Sequence, residues 1–242
     1  MSRTENDDPD QLGSPHRLAD LEASGLLDHS IAALDALTLV ACNALGSDIT
    51  AAVTAVSDHD QLVVSISAAA ESLPAGATTP LSHSMCKNVV VNGAPHIVDD
   101  ASLDDSHALA FRDHGVGAYA GFPLRGSQGT VLGAVCATTP GPRRWNAFDL
   151  QILGSLATAA SSVVAMHTAT HRDRLARISG AVPADPFARI QHGLRTPLTS
   201  LFGFLDLMLD GTVGDFTPAQ LDALRRCHTN AERLREAVEA LG

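Results

Sequence analysis

The chain of 242 residues, with 45% hydrophobic and 18% charged residues, is long enough for one large domain or two small domains with their own cores. A formal net charge of −11 argues against nucleic acids and anionic membrane surfaces as its main partners. The four cysteines lie far apart without a CxxC pair, which argues against a zinc knuckle and indicates a reducing compartment, so we expect a cytoplasmic protein.

The N-terminal residues 1–13 are acidic and polar, lack the features of a signal peptide, and are predicted to form a disordered lead-in. The longest apolar run, Leu153–Met166, is too short for a membrane span and is interrupted by Gly, Ser and Thr. We therefore expect no membrane-spanning segment and no membrane partner.

Residues 14–166 are predicted to form an α+β domain. Two helical patterns come first, and two β-branched runs separated by the turn "DHD" then indicate a hairpin. A short helix from Ser84 to Val91 ends at "NG", "PHIVDD" is typical of a strand, and a second hairpin surrounds "SQG". A long helix begins near Asn146, with Asp149 in its first turn. This order favours an antiparallel sheet with helices on its faces.

Residues 167–185 are predicted to extend the long helix as an Arg-rich signalling linker that breaks at "SGAVPADP". His167 and His171 are four residues apart on this helix, a spacing that two metal ligands could share. Because no third ligand accompanies them, we interpret them as part of a solvated helix face and predict no metal site.

Residues 186–242 are predicted to form an all-α helical hairpin. Apolar residues recur every seven positions in the first helix, and the second opens with Thr217, Pro218 and Gln220, the pattern of a helix cap. Two amphipathic helices cannot bury both apolar stripes alone, so we expect two chains to form a homodimeric four-helix bundle. The stripes contain Phe187, Leu194, Leu201 and Met208 in the first helix, and Leu224, Ala231, Val238, Cys227, Leu234 and Leu241 in the second.

His192 lies at the most exposed position of the first heptad pattern. Thr196, one turn further on, shares its face, and Pro197 inside the helix costs about 3 kcal/mol unless something compensates. A kink beside an exposed nucleophile is one reason to retain such strain. A surface histidine without a role is the alternative interpretation.

The sequence "HGLRTPLTSLFGFLDLMLDG", followed by a second helix beginning "FTPAQ", resembles the dimerisation and phosphoacceptor (HisKA-type) domain of sensor histidine kinases over about residues 186–241. The resemblance implies that His192 accepts the γ-phosphate of ATP and passes it to an aspartate in the receiver domain of a response regulator. It implies that Thr196 positions water during dephosphorylation, that Arg195 belongs to the same catalytic motif, and that Pro197 forms its kink.

Gly193 stands where that family normally has Glu or Asp. The acid strengthens the imidazole as a nucleophile, so its absence is expected to weaken autophosphorylation. No nucleotide-binding motif follows the hairpin, so we expect ATP to act only through a domain that this chain lacks. Two alternatives to a sensor kinase stay open: an ATP-independent histidine phosphotransfer protein, and a non-catalytic dimeric ligand-binding regulator with a degenerate phosphoacceptor motif.

Residues 14–166 resemble a GAF domain, through stretches such as "PLSHSMCKNVVVNGAPHIVDDASLDD" and "YAGFPLRGSQGTVLGAVCATTPGPRRW". The resemblance implies a small-molecule pocket between sheet and helices, and a sensor protein in which the pocket's occupant controls His192. Within this pocket the candidate lining residues are Cys86, His83, His107 and Tyr119.

Individual residues in these stretches argue against some of the ligand classes that GAF domains bind. Bilin-binding relatives have His after the attachment cysteine, whereas Lys87 follows Cys86 here, and the Asn-Lys motif of cyclic-nucleotide relatives is absent. Haem stays open as a cofactor, with His83, His107 or His114 as axial ligand, against the alternative that these are ordinary surface or loop histidines. Cys86 is a redox-sensor candidate or a buried small hydrophobic residue, and a purely structural domain with no ligand is also open.

Overall fold

The computed structural model describes residues 11–27, 31–68, 73–178, 202–203, 205–206, 208–210 and 217–239. Six strands form one antiparallel sheet in the order β3-β2-β1-β6-β5-β4. The strands are β1 (Thr50–Val56), β2 (Asp60–Ala68), β3 (Thr78–Pro80), β4 (His96–Val98), β5 (Ala118–Arg125) and β6 (Val131–Thr139).

Among the described residues, the α-helices with defined bounds are α1 (Pro15–Ala23), α2 (Ala32–Leu45), α3 (Cys86–Asn92), α4 (Ala108–His114), α5 (Ala147–Ile178) and α6 (Pro218–Glu239). The two predicted hairpins are β1–β2 and β5–β6, and the predicted helix before "NG" is α3, which ends at the left-handed Gly93. Two elements are absent from the predicted order, the three-residue strand β3 and the seven-residue helix α4.

The two faces of the sheet have different coverings. Alternate residues of the central strands, including Ala51, Val53 and Ala120, pack with α2 and α5 in the larger core. The residues between them, including Ala52 and Cys136, pack with α3 in a smaller core on the opposite face. The smaller core leaves room for a cavity, which is described below.

A helix cap anchors the start of α5. The Asn146 side-chain oxygen accepts hydrogen bonds from the backbone N–H groups of Phe148 (2.8 Å) and Asp149 (3.0 Å). The buried Asp149 carboxylate accepts from Arg143 at 3.1 Å, and Arg143 also donates to the Leu45 carbonyl of α2 at 2.9 Å. This network ties α5 to the end of α2.

By length and composition, one helical segment among the described residues, Ala147–Thr170, is apolar enough to cross a membrane. Half of it is buried against the rest of the chain, and Leu153, Leu156 and Val164 are fully enclosed in the larger core. The apolar character therefore has an explanation in the packing of α5 on the sheet. The apolar part of this helix, Ala147–Thr170, is therefore longer than the predicted run Leu153–Met166.

The predicted helix cap at the start of α6 is present. The Gln220 Oε1 accepts from the Thr217 backbone N–H at 2.9 Å, and the Gln220 N–H donates to Thr217 Oγ1 at 3.3 Å. On the predicted stripe, Leu224, Cys227 and Ala231 are all buried.

The apolar stripe of α6 packs against α2 of the same chain. Leu205 and Met208, from the helical residues before α6, join this core, and the Cys227 thiol hydrogen-bonds the Asn43 side chain of α2. Leu224, Cys227 and Ala231 are thus covered within one chain, whereas a second chain is the predicted cover of the stripe. The four-helix bundle itself stays a prediction.

The predicted phosphoacceptor region lies outside the described residues. This applies to His192, Gly193, Arg195, Thr196 and Pro197. The break at the end of the linker and most of the predicted lead-in also lie outside them.

Candidate ligand cavity and its thiol pair

A cavity of about 550 Å³ lies between the sheet and the short helices α3 and α4. Its floor is formed by sheet residues such as Ala52, Thr54 and Val63, and its far wall by Met85, Ala110 and Val116. The exposed Asp48 and Pro140 lie at its edge, so the cavity communicates with solvent. A largely apolar chamber of this size with a few polar groups is the ordinary form of a small-molecule site.

Of the four residues predicted to line the pocket, three do so: His83, Cys86 and Tyr119. His107 does not line the cavity, because it is buried behind it, where its ring packs beside that of His96. The position of His107 in the sequence, directly before α4, gave no indication of which way its side chain points.

Two thiols face each other inside the cavity. Cys86 is the first residue of α3, Cys136 lies in the middle of β6, and their sulfur atoms are 3.9 Å apart. Both side chains are buried, and both line the cavity. The hydroxyl of Tyr119, the only tyrosine in the chain, donates to the Cys86 sulfur at 3.2 Å.

Gly121 makes this arrangement of Tyr119 possible. The two residues lie on the same face of β5, and a Cβ atom at Gly121 would collide with the Tyr119 hydroxyl and ring. Cys136 pairs directly with Gly121 across the β5–β6 ladder, so the tyrosine ring lies over the glycine and beside the cysteine.

The two thiols differ in acidity. The pKa of Cys86 is lowered because Cys136, Thr54 and Tyr119 can donate hydrogen bonds to its sulfur, which outweighs the effect of burial. The pKa of Cys136 is raised well above its usual value because its proton is shared with Cys86 and because the side chain is buried. The first proton to leave the pair is therefore that of Cys86.

Thr79 contributes a polar atom that lacks a partner. Its side chain points inward from β3, is 3% exposed and lines the cavity. Among the described residues it carries the one buried side-chain oxygen or nitrogen without a hydrogen bond. Because a buried hydroxyl in this state loses about 1–3 kcal/mol, a polar group of a ligand at this position would be stabilising.

A histidine pair supports the wall behind Tyr119. The Nε2 atoms of His96 and His107 are 3.1 Å apart, and Asp104 lies 3.3 Å from Nδ1 of His107. Burial, followed by the proximity of His107, lowers the pKa of His96 to about 4. At neutral pH His96 is uncharged, and one imidazole nitrogen of the pair donates to the other.

Haem does not fit the predicted axial ligands well. Both ring nitrogens of His83 are engaged, with Ser82 at 2.9 Å and with Asp113 at 2.9 Å, and both of His107 are engaged as well. Axial ligation needs a free imidazole nitrogen, so neither residue offers one. His114 lies at the edge of the cavity and is exposed. No cluster of three or more potential metal ligands occurs in the described part of the chain.

Cys136, Thr79 and His96 are site residues that no sequence motif indicates. Each lies in a strand, where only the pairing register decides which face a side chain occupies. His167, predicted above to belong to a solvated helix face, is half-buried against the C-terminal turn of α1, with Nδ1 3.1 Å from the Ser24 carbonyl oxygen.

Comparisons with known families agree with both predicted resemblances. The family model described as GAF domain matches residues 29–164, and that described as His Kinase A (phospho-acceptor) domain matches residues 186–241. No ATP-binding domain model matches the chain. The comparison with curated proteins finds no match.

Several solved structures are similar over the first domain. The PixJ GAF domain of Thermosynechococcus elongatus, in its blue-light absorbing form, is 18% identical with a TM-score of 0.49, and 69% of this chain and 98% of that chain are covered. Free methionine-R-sulfoxide reductase from Neisseria meningitidis, solved with its substrate, is 16% identical with a TM-score of 0.46, covering 63% and 86%. The GAF-B domain of DevS from Mycobacterium smegmatis is 19% identical with a TM-score of 0.46, covering 59% and 97%. At these values the fold assignment depends on the family match.

Proposed function

The chain belongs to the GAF domain family and carries a HisKA domain after it, as signalling proteins of the two-component sensor histidine kinase type do, and from this we propose that cavity occupancy controls phosphoryl transfer at His192. In general, a HisKA domain implies dimerisation and a response-regulator partner. The specific roles of His192, Arg195, Thr196 and Pro197 belong to the proposal.

The observation that carries the proposal is the continuity of α5. This helix begins on the sheet of the first domain and runs without interruption from Ala147 to Ile178, eight residues before the start of the HisKA match. With a rise of about 1.5 Å per residue, its 32 residues extend for about 48 Å. A rigid helix of this length transmits a shift or rotation at the sheet to the segment that follows it.

The chemistry proposed for His192 is a two-step transfer. A neutral imidazole nitrogen attacks the γ-phosphorus of ATP, the nitrogen–phosphorus bond forms, and ADP leaves with the electrons of the broken phosphorus–oxygen bond. A receiver-domain aspartate then attacks the same phosphorus and restores the imidazole. The ATP site must come from a separate ATP-binding domain, and we propose that the reaction takes place in the cytoplasm.

Gly193 favours a second candidate. Without an acidic neighbour, His192 lacks the group that would raise its nucleophilicity, so attack on ATP is slowed more than exchange with a reactive aspartyl phosphate. The second candidate is therefore a phosphotransfer protein that takes phosphate from one receiver domain and gives it to another.

The test measures acid-labile phosphate on the full chain. The donor is either ATP with a histidine-kinase ATP-binding domain or a phosphorylated receiver domain, and the two donors separate the two candidates. We expect the chain to become labelled and the His192→Gln variant to remain unlabelled. The control is His228→Gln, which changes a histidine on α6 and should be labelled like the unchanged chain. We expect Gly193→Glu to raise labelling from ATP by about tenfold or more. Absence of label with both donors, in a folded chain, would refute both candidates.

A further inference from the structure

Cys86 and Cys136 meet the geometric requirement for reaction with each other. Their sulfur atoms, 3.9 Å apart, are already in contact, and a disulfide bond of about 2.05 Å requires them to approach by about 1.9 Å. The two residues belong to different elements, α3 and β6, and their side chains pack in the same small core.

The surroundings of the pair assign a different role to each thiol. Tyr119 donates to the Cys86 sulfur and not to Cys136, and the lowered pKa of Cys86 makes it the thiolate-forming member. Cys136 is held protonated beside it. A nucleophilic thiol next to a second, protonated thiol is the arrangement in which oxidation ends in a disulfide.

The other two cysteines lack these features. Burial raises the pKa of both Cys42 and Cys227. The Cys42 sulfur donates to the Ser67 carbonyl at 2.8 Å, on the opposite face of the sheet from the cavity, and Cys227 lies between α6 and α2. Neither lines the cavity.

The cavity gives a small oxidant access to the pair. Both residues are part of its lining, although each is at least 95% buried overall. The edge of the cavity at Asp48, His114 and Pro140 is exposed. A peroxide can therefore reach the thiols, whereas a protein disulfide cannot approach them.

We propose that Cys86 and Cys136 form a dithiol that peroxides oxidise to a disulfide inside the cavity. The Cys86 thiolate attacks one peroxide oxygen, the sulfur–oxygen bond forms, the oxygen–oxygen bond breaks, and the other oxygen leaves as water or an alcohol after taking up a proton. Cys136 then attacks the Cys86 sulfur, the sulfur–sulfur bond forms, and the hydroxyl leaves as water with the proton of Cys136. Two thiols lose two electrons in total, and the peroxide gains them.

The disulfide would change the cavity. It would tether the start of α3 to β6 and turn the sulfur that accepts the Tyr119 hydrogen bond into a weaker, disulfide acceptor. The site thus acquires an oxidised state that differs in shape from the reduced one, whichever ligand the cavity takes.

The test exposes the full reduced chain to hydrogen peroxide and counts the remaining thiols. We expect two of the four to be lost and then recovered with dithiothreitol. Trypsin cleaves after Lys87, Arg112 and Arg125, so the disulfide joins peptide 18–87 to peptide 126–143 in a mass map. Because peptide 18–87 also contains Cys42, the Cys42→Ser variant assigns the cross-link to Cys86.

Variants assign the order of events. Cys86→Ser should slow thiol loss by about tenfold and abolish the cross-link. Cys136→Ser should leave a sulfenic acid on Cys86 that a 1,3-diketone reagent traps, and Cys42→Ser, the matched control, should form the cross-link normally. Tyr119→Phe should slow the reaction severalfold while the cross-link still forms, a change in rate that a purely structural tyrosine would not produce.

Oxidation of Cys42 or Cys227 in preference to Cys86, or no cross-link in a chain whose near-ultraviolet circular dichroism is native, would overturn the proposal. Because the readout is thiol chemistry, it is independent of any phosphate on His192. Failure here therefore leaves the proposed phosphoryl transfer untouched, and the reverse also holds.

Discussion

Substitution of Gly121 by alanine is expected to destabilise the first domain through one identified contact. The added Cβ would overlap the hydroxyl and ring of Tyr119, which is 2% exposed and hydrogen-bonded to Cys86, so the ring cannot move away freely. Overpacking of this kind costs about 1–3 kcal/mol of unfolding free energy. The control is Gly141→Ala, because a Cβ at Gly141 meets nothing within 4 Å, and it should change stability by no more than about 0.5 kcal/mol.

A double-mutant cycle isolates the contact. Tyr119→Ala alone should cost about 3–5 kcal/mol because it empties a large buried site. In the double variant the alanine at position 121 no longer overlaps a ring, so its cost should vanish and the two effects should differ from additivity by about 1–3 kcal/mol. Urea unfolding, followed by the fluorescence of Trp145, the only tryptophan, gives the unfolding free energy of the unchanged chain, the two single variants and the double variant. Additivity within about 0.5 kcal/mol would mean that Tyr119 does not lie over Gly121.

Three further predictions concern other parts of the chain. His96→Gln should flatten the pH dependence of stability between pH 6.5 and 4. Because the pKa of His96 is about 4 in the folded chain, the unfolded chain binds the proton at a higher pH. The native protein with His96 therefore loses stability as the pH falls through this range. The full pKa shift of His96 corresponds to about 3 kcal/mol of unfolding free energy, and partial exposure of the ring reduces this to about 2 kcal/mol. Urea unfolding at each pH measures the effect, and His16→Gln, a change at an exposed histidine, is the control. Asp149→Ala should lower the unfolding free energy by about 2 kcal/mol, because it removes the carboxylate that pairs with Arg143, and a loss below about 0.5 kcal/mol would contradict the anchoring role. Thr217→Ala should cost about 1 kcal/mol and reduce helical circular dichroism, while Thr217→Ser should preserve both.

Local patterns were sufficient for much of the fold. The two hairpins follow from β-branched runs on either side of short polar turns, and the start of α6 follows from the spacing of Thr217, Pro218 and Gln220. Each of these patterns spans only a few residues, and the interactions that stabilise the hairpin turns and the helix cap are equally local.

The missed elements depend on partners that are distant in the chain. β3 consists of three residues and exists because it adds to the edge of β2, where Thr79 pairs with Gln61. α4 has seven residues and buries only Ala110, so it has no apolar periodicity long enough to be recognised.

The thiol pair shows how a single irregularity hides a site. Counting outward from the turn "SQG" places Cys136 opposite Ala120, whose side chain points into the larger core. A register shift between Leu124 and Arg125 moves the pairing by one residue, so that Cys136 lies opposite Gly121 and faces Cys86 instead. Because local sequence does not indicate the bulge, the cysteine was assigned to no site.

The strand order also has a consequence for how the domain is made. β1 and β6 are neighbours at the centre of the sheet, yet Thr50 pairs with Thr138 across almost ninety residues of intervening chain. On a ribosome adding about 5–20 residues per second, β1 waits roughly 4–18 s with one edge unpaired before β6 is synthesised. Closure of so long a loop is also intrinsically slow. We therefore expect nascent chains that stop before β6 to remain unfolded and to need protection from aggregation, whereas those that extend through α5 fold in one cooperative step.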